Sequence, residues 1–200
     1  GAIQDFTAAI TDDPAFAEAY TNRGLLYYQT KNVANAFSDL SKSIKLKQDI
    51  PQAYYGRAGI YFDREEYDSA IADYTKAISI SPEFGAAYSN RSYARFKKGD
   101  LAGAEADATQ AIAITPKFTS AYNNRSNIRA AKGDIAGAIA DIDSVIAFEP
   151  TEPERYVARG VLRGKTGNTD GASADFSKGI ELDPNNINAY INRANIRSTK

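Results

Sequence analysis

Tyr20, Tyr54, Tyr88, Tyr122, Tyr156 and Tyr190 stand 34 residues apart, with no insertion between any two of them. A strict period of this length constrains the fold more than any other feature, because such repeats stack as copies of one supersecondary element. Pro14, Pro82, Pro116, Pro150 and Pro184 keep the period, with Gln48 standing in once. Small residues recur at Ala36, Ala70, Ala104, Ala138 and Ala172, and again at Gly24, Ala58, Ser92, Ser126, Gly160 and Ala194. Within one copy, Ala87, Tyr88, Arg91, Ser92 and Arg95 share one helical face at three- and four-residue spacing. Gly99-Asp100 predicts a turn followed by a helix-capping anion, a place taken later by Asp134 and Asn168. Pro116 ends the second helix of that copy and sets the entry of the next. The alanine columns let two helices approach closely, where a leucine would hold them apart.

On these columns the chain resembles the tetratricopeptide repeat (TPR) family over its whole length. The full repeats are 17–50, 51–84, 85–118, 119–152 and 153–186, numbered one to five below. Residues 1–16 match the second half of a repeat (helix B) and 187–200 the first half (helix A). The resemblance implies an all-α fold, 1–200 forming a single right-handed superhelical solenoid of antiparallel helix pairs. Each repeat buries too little to fold alone, so stability is expected to come from neighbours along the stack.

Composition narrows the function. Lys and Arg number 24 against 25 Asp and Glu, a net charge of -1. This disfavours nucleic-acid binding through bulk positive charge and a polybasic membrane surface. No apolar run approaches the length of a bilayer crossing, so no membrane insertion is expected. Cys and His are both absent, which removes disulfides, thiol nucleophiles, imidazole acid–base chemistry and Cys/His metal sites. Gly160 to Thr166 resembles a phosphate-binding loop but is one residue short and follows no strand. Asp12/Asp13, Glu65/Glu66 and Asp141/Asp143 read as caps, solvated faces or charge partners. The expectation is no catalysis, no cofactor and no metal. The chain carries no sequence mark of a compartment.

Two charged columns run the length of the chain: Arg23, Arg57, Arg91, Arg125, Arg159 and Arg193 at repeat position 7, and Asp5, Asp39, Asp73, Asp107, Asp141 and Asp175 at position 23. A guanidinium between packed helices needs a carboxylate, so the columns read as a structural clamp. Pairing within a repeat strands Arg193 and Asp5. Pairing each Asp with the Arg of the following repeat, Asp5–Arg23 through Asp175–Arg193, satisfies all six, and the count favours it. Arg95, Arg129, Arg163 and Arg197 form a further column where Tyr27 and Tyr61 stand earlier. The same Asp column, helped by Asp100 and Asp134, is expected to neutralise it.

Asn22, Asn90, Asn124 and Asn192 occupy position 6, interrupted by Gly56 and Ala158. The resemblance places this position on the concave groove, where a carboxamide can both donate to and accept from a peptide backbone. Tyr28, Tyr55, Phe62, Tyr93 and Phe96 are expected there as apolar contacts in the N-terminal half, with Asn123, Asn127 and Asn195 in the C-terminal half. Position 2 carries Glu18, Gln52, Ala86, Ser120, Glu154 and Asn188, none basic, which excludes the carboxylate-clamp mode of peptide capture. The leading expectation is therefore a scaffold that holds a protein or peptide partner by Asn22, Asn90, Asn124, Asn192, Tyr28, Tyr55, Phe62 and Phe96.

The two half repeats leave other readings. Gly1-Ala-Ile-Gln-Asp copies Gly137-Ala-Ile-Ala-Asp, and Ile187 to Arg197 reads as an interior helix without a polar cap. The chain reads as a window on a longer array. Alternatively, Lys200 of one copy abuts Gly1 of the next, giving head-to-tail self-association into a filament. A third reading is the recognition arm of a larger enzyme. Gly164 and Gly179 fall inside helices of repeat five, which is expected to open most easily.

Overall fold

A computed structural model describes residues 1–198. Among the described residues there are twelve helices and no strand. They are α1 (Ala2–Asp12), α2 (Ala17–Gln29), α3 (Val33–Leu46), α4 (Pro51–Asp63), α5 (Tyr67–Ile80), α6 (Gly85–Lys97), α7 (Leu101–Ile114), α8 (Thr119–Ala131), α9 (Ile135–Phe148), α10 (Pro153–Lys165), α11 (Thr169–Leu182) and α12 (Ile187–Ser198). Even-numbered helices are the first of each pair and odd-numbered ones the second. None of the twelve is long and apolar enough to cross a membrane.

The helices form two compact units, Gly1–Ile114 and Thr115–Lys200. In the first, each helix from α1 to α7 packs on the next, and α2 also meets α4. In the second, α8 to α12 pack in the same succession, and α10 also meets α12. Ala36, Ala70, Ala104, Ala138 and Ala172 are fully buried, as are Ala19, Ala53, Ala87, Ala121 and Ala189. These are the close-approach points of the stack. Repeat five breaks the second column with Arg155, whose Nε is buried without a hydrogen-bond partner.

The turn inside each pair needs a left-handed residue. Gly99, Gly133 and Gly167 supply it with φ of 85°, 85° and 77°, whereas Lys31 and Glu65 adopt φ of 63° and 61°. An L side chain there is strained by roughly 1–2 kcal/mol. One residue on, Asp100, Asp134 and Asn168 accept the backbone N–H of Gly103, Gly137 and Gly171, each at 2.9 Å. Asn32 caps α3 in the same way at 3.5 Å.

Side-chain volumes trade across the pair. Where repeat position 8 is glycine, its partner on the second helix is large. A Cβ on Gly160 would lie 2.7 Å from the Phe176 ring, and one on Gly24 2.9 Å from Leu40. Where position 8 is serine, Ser92 and Ser126 donate to the carbonyls of Ala104 and Ala138, at 2.8 and 2.9 Å.

The charged columns pair within each repeat, which corrects the expectation of pairing with the following one. Arg23, Arg57 and Arg91 each grip Asp39, Asp73 and Asp107 through Nε and Nη2, at 2.7 to 2.9 Å. Arg125 and Arg159 hold Asp141 and Asp175 with shortest contacts of 2.7 and 2.6 Å. The antiparallel hairpin decides this, because it sets residue i opposite i+16 and presents both carboxylate oxygens to the guanidinium fork. The link to the preceding repeat runs instead through the remaining nitrogen. Nη1 of Arg23, Arg91 and Arg193 donates to Thr7, Thr75 and Ser177 at 3.1, 2.9 and 3.1 Å, and that of Arg159 to Asp143 at 2.6 Å. Among the described residues no ion pair reaches Asp5 or Arg193. Every position-7 arginine also lies over the tyrosine three residues before it, Arg23 on Tyr20 through Arg193 on Tyr190, at 5.4 to 5.9 Å.

The later arginine column shares these carboxylates, as the sequence predicts. Arg95, Arg129 and Arg163 reach Asp107, Asp141 and Asp175 at 2.8, 3.0 and 2.9 Å. Asp100 and Asp134 add weaker contacts at 3.7 and 3.9 Å. Arg197 is exposed on α12.

Candidate functional site

Repeat position 12 is the penultimate residue of the first helix in repeats one to five, and its side chain changes along the chain. It is Tyr28, Phe62 and Phe96, then Ala130 and Gly164. The rings at the start of this column gather others. Phe62 and Tyr93 lie 5.3 Å apart, Tyr93 and Phe96 6.4 Å, and Tyr55 and Phe84 4.9 Å. Between these side chains, within the first compact unit, is a cavity of about 550 Å³. Leu25, Tyr28, Tyr55, Phe62, Tyr74 and Tyr93 form most of its apolar wall.

Glycine makes the cavity possible. A Cβ on Gly56 would stand 2.6 Å from Leu25, and one on Gly59 3.1 Å from the Tyr28 ring. Repeat two therefore carries glycine where its neighbours have larger residues, and α2 and α4 close to form the floor. Gly56 interrupts the asparagine column for this reason.

The polar groups are few and mostly paired. Tyr28 donates its hydroxyl to Asp63 at 2.7 Å, and the Asn90 amide donates to the Tyr55 hydroxyl at 3.0 Å. Gln29 and Gln52 stand at the exposed edge. Burial pushes the Tyr28 hydroxyl well above the ordinary tyrosine range, and the bond to Asp63 pushes it further. Burial also raises Tyr55 and Tyr74, and for Tyr55 the hydrogen bond from the Asn90 amide offsets part of the rise. All three hydroxyls are therefore neutral at physiological pH. Among the described residues Asp63 is the only charged side chain in the wall.

The structure brings together Tyr28, Tyr55, Phe62 and Asn90 of the expected groove residues. Phe96 joins them only through Tyr93. Of the four asparagines Asn90 lines this wall, while Asn22 is exposed on α2 and outside it, and Asn124 and Asn192 belong to the second compact unit. The physical reason is that position 6 meets the cavity only where the rings of positions 5, 9 and 12 surround it. Asp63, Gln29, Gln52, Tyr74 and Phe84 were not singled out by the sequence. Their columns mix residue types, as Gln29, Asp63, Lys97, Ala131 and Lys165 do at position 13. The second unit holds a smaller cavity of about 280 Å³, lined by Asn127, Val161, Leu162 and Lys165 with no ring among them.

Sequence-family models described as tetratricopeptide repeat match residues 1–49 with 89–153, residues 51–84, and residues 153–186. No curated protein matches the chain by sequence. Among solved structures, YrrB, described as a TPR protein with an unusual peptide-binding site, superposes with a TM-score of 0.79 at 22% identity over 94% of this chain and 97% of its own. PilF of Pseudomonas aeruginosa superposes at 0.80 with 16% identity, over 94% and 85% of the two chains. The MamA protein does so at 0.76 with 20% identity, over 84% and 92%. These likenesses show the fold.

Proposed function

The chain belongs to the tetratricopeptide repeat family, and on that premise we propose that it is a non-catalytic scaffold that holds a peptide of a protein partner in the aromatic cavity of residues 1–114. TPR repeats in general support protein–protein interaction scaffolds. One observation carries the finer reading: the cavity of about 550 Å³ joins rings and amides from α2, α4 and α6 at one place. Its volume lies in the range of small-ligand pockets, about 300–1,000 Å³, so it takes a short stretch of side chains and not a whole helix. The walls are mostly apolar, and the polar groups at the edge would fix orientation.

Filling the cavity from exposed positions tests this without disturbing the core. Gln29→Trp and Gln52→Trp should each abolish partner capture with an unchanged melting midpoint. Capture that survives both substitutions contradicts the assignment.

A second reading, head-to-tail self-association, is favoured by α12, which exposes Ile187, Tyr190 and Ile191 at 71%, 46% and 53%. A second copy's α1 would cover this face and offer Asp5 to Arg193. Light scattering over a concentration series, with Arg193→Glu as the comparator, distinguishes a growing assembly from a monomer.

A further inference from the structure

We infer that the partner presents a lysine or arginine side chain, flanked by an apolar residue, to the cavity formed by Tyr28, Tyr55, Phe62 and Tyr93 with Asp63 at its rim. The inference rests on the peptide-binding reading above and specifies its chemistry. Six aromatic side chains and one carboxylate line a space with no basic side chain in its wall. Ring quadrupoles attract cations, the more so once both are removed from water. Asp63 is exposed, and its Oδ2 is held by the Tyr28 hydroxyl. Among the described residues no donor is recorded on Oδ1, and a carboxylate has lone pairs to spare on both oxygens. An incoming ammonium or guanidinium thus finds a charge-assisted acceptor beside a ring surface.

The protein's own side chains show the preference. Lys97, exposed at the end of α6, sets its Nζ 5.3 Å from the centre of the Tyr93 ring. This contact shows that the ring accepts a cation. An acidic peptide or a free C-terminal carboxylate would meet Asp63 in a wall that carries no basic side chain. Leu25, Tyr74 and Phe84 supply the apolar surface for the flanking residue.

The test pans displayed random dodecapeptides against the whole chain and measures the enriched sequences as capped synthetic peptides. Enriched peptides should pair a basic with an apolar residue, and Gln52→Trp should abolish their binding. Asp63→Asn, which keeps an oxygen for the Tyr28 hydroxyl, should weaken binding about tenfold, as should norleucine in place of the basic residue. Phe62→Leu should weaken the basic peptide more than its norleucine analogue, a difference that a general loss of packing would not produce. Lys97→Gln should bind at least as tightly as the wild type. Peptides that need the open cavity but lack a basic residue, or ignore Asp63→Asn, overturn the cation assignment and leave the groove reading standing. Peptides indifferent to Gln52→Trp, or no enrichment at all, overturn both.

Discussion

In repeats one and two the buried aspartate is held by one arginine beside a tyrosine, whereas in repeats three to five it is held by two arginines. Tyr27 and Tyr61 lie 5.8 Å from Arg23 and Arg57, where Arg95, Arg129 and Arg163 later take the same position. The two solutions differ in what they leave around them. A tyrosine adds ring surface, and Tyr61 packs edge-on against Phe37 at 5.5 Å. Asp100 and Asp134 give the second arginine of repeats three and four a second acid, whereas in repeat five the added acid is Asp143 of repeat four, which pairs with Arg159. The aromatic repeats also build most of the larger cavity, to which repeat three adds Asn90 and Tyr93. One scaffold thus carries an apolar cavity at one stretch and charge-pinned joints at the next.

The sharpest way to break the comparison is to remove the aspartates. Asp141→Ala removes the carboxylate that Arg125 and Arg129 share, and a broken buried pair is worth about 3–5 kcal/mol. Asp73→Ala strands only Arg57, so its loss in denaturant unfolding should be smaller. Equal losses would mean that the second arginine is a spectator.

Next in size is the volume trade at the helix joints. Gly160→Ala drives a methyl against Phe176 and should destabilise by about 1–3 kcal/mol, while Ser126→Ala should cost only about 1 kcal/mol. Thermal melts of the two variants rank them.

The turns give a smaller effect of opposite sign. Glu65→Gly relieves a left-handed L residue and should stabilise by up to about 1 kcal/mol after the entropy of glycine is counted, whereas Gly133→Ala should destabilise by roughly 1–2 kcal/mol. A destabilising Glu65→Gly would show that the Glu65 side chain contributes more than its backbone strain.

Alkali should separate the aromatic stretch from the rest. Tyr28, Tyr55 and Tyr74 have folded values raised above the ordinary 10.0. Their contribution is fully present below that value and is lost as pH rises above it, because the unfolded chain releases those protons first. Tyrosinate absorbance and unfolding followed together should show the loss beginning above pH 10, with Tyr28→Phe making it shallower.

Much of the fold was legible in the sequence because each column answers to one local requirement. Gly99 and Asp100 mark a turn and a cap, and the buried alanines mark close approach. The charge pairing was not legible: counting partners favoured pairing with the following repeat, yet the hairpin geometry sets Arg91 opposite Asp107 and leaves Thr75 for the link backwards. The cavity was half legible. Its rings stand in columns, but Asp63, Gln29 and Gln52 come from columns with no common chemistry, and only packing around Gly56 and Gly59 assembles them. Repeat five adds a further case. Gly164 and Gly179 read as weak points, yet a Cβ at either would come within about 3.1 Å of Ile196 or Val157. These glycines serve close packing, and the unpartnered Nε of Arg155 supplies a separate reason for repeat five to open first. Exchange there no faster than in repeat three would remove that expectation.

The central claim is that partner recognition sits at the aromatic stretch. Hydrogen exchange of the whole chain with and without a selected peptide tests it most directly. Protection should appear on α2, α4 and α6 around Tyr28, Tyr55 and Tyr93, with α8 to α12 unchanged. Protection centred instead on α8 or α12, at Asn124 or Asn192, would contradict it.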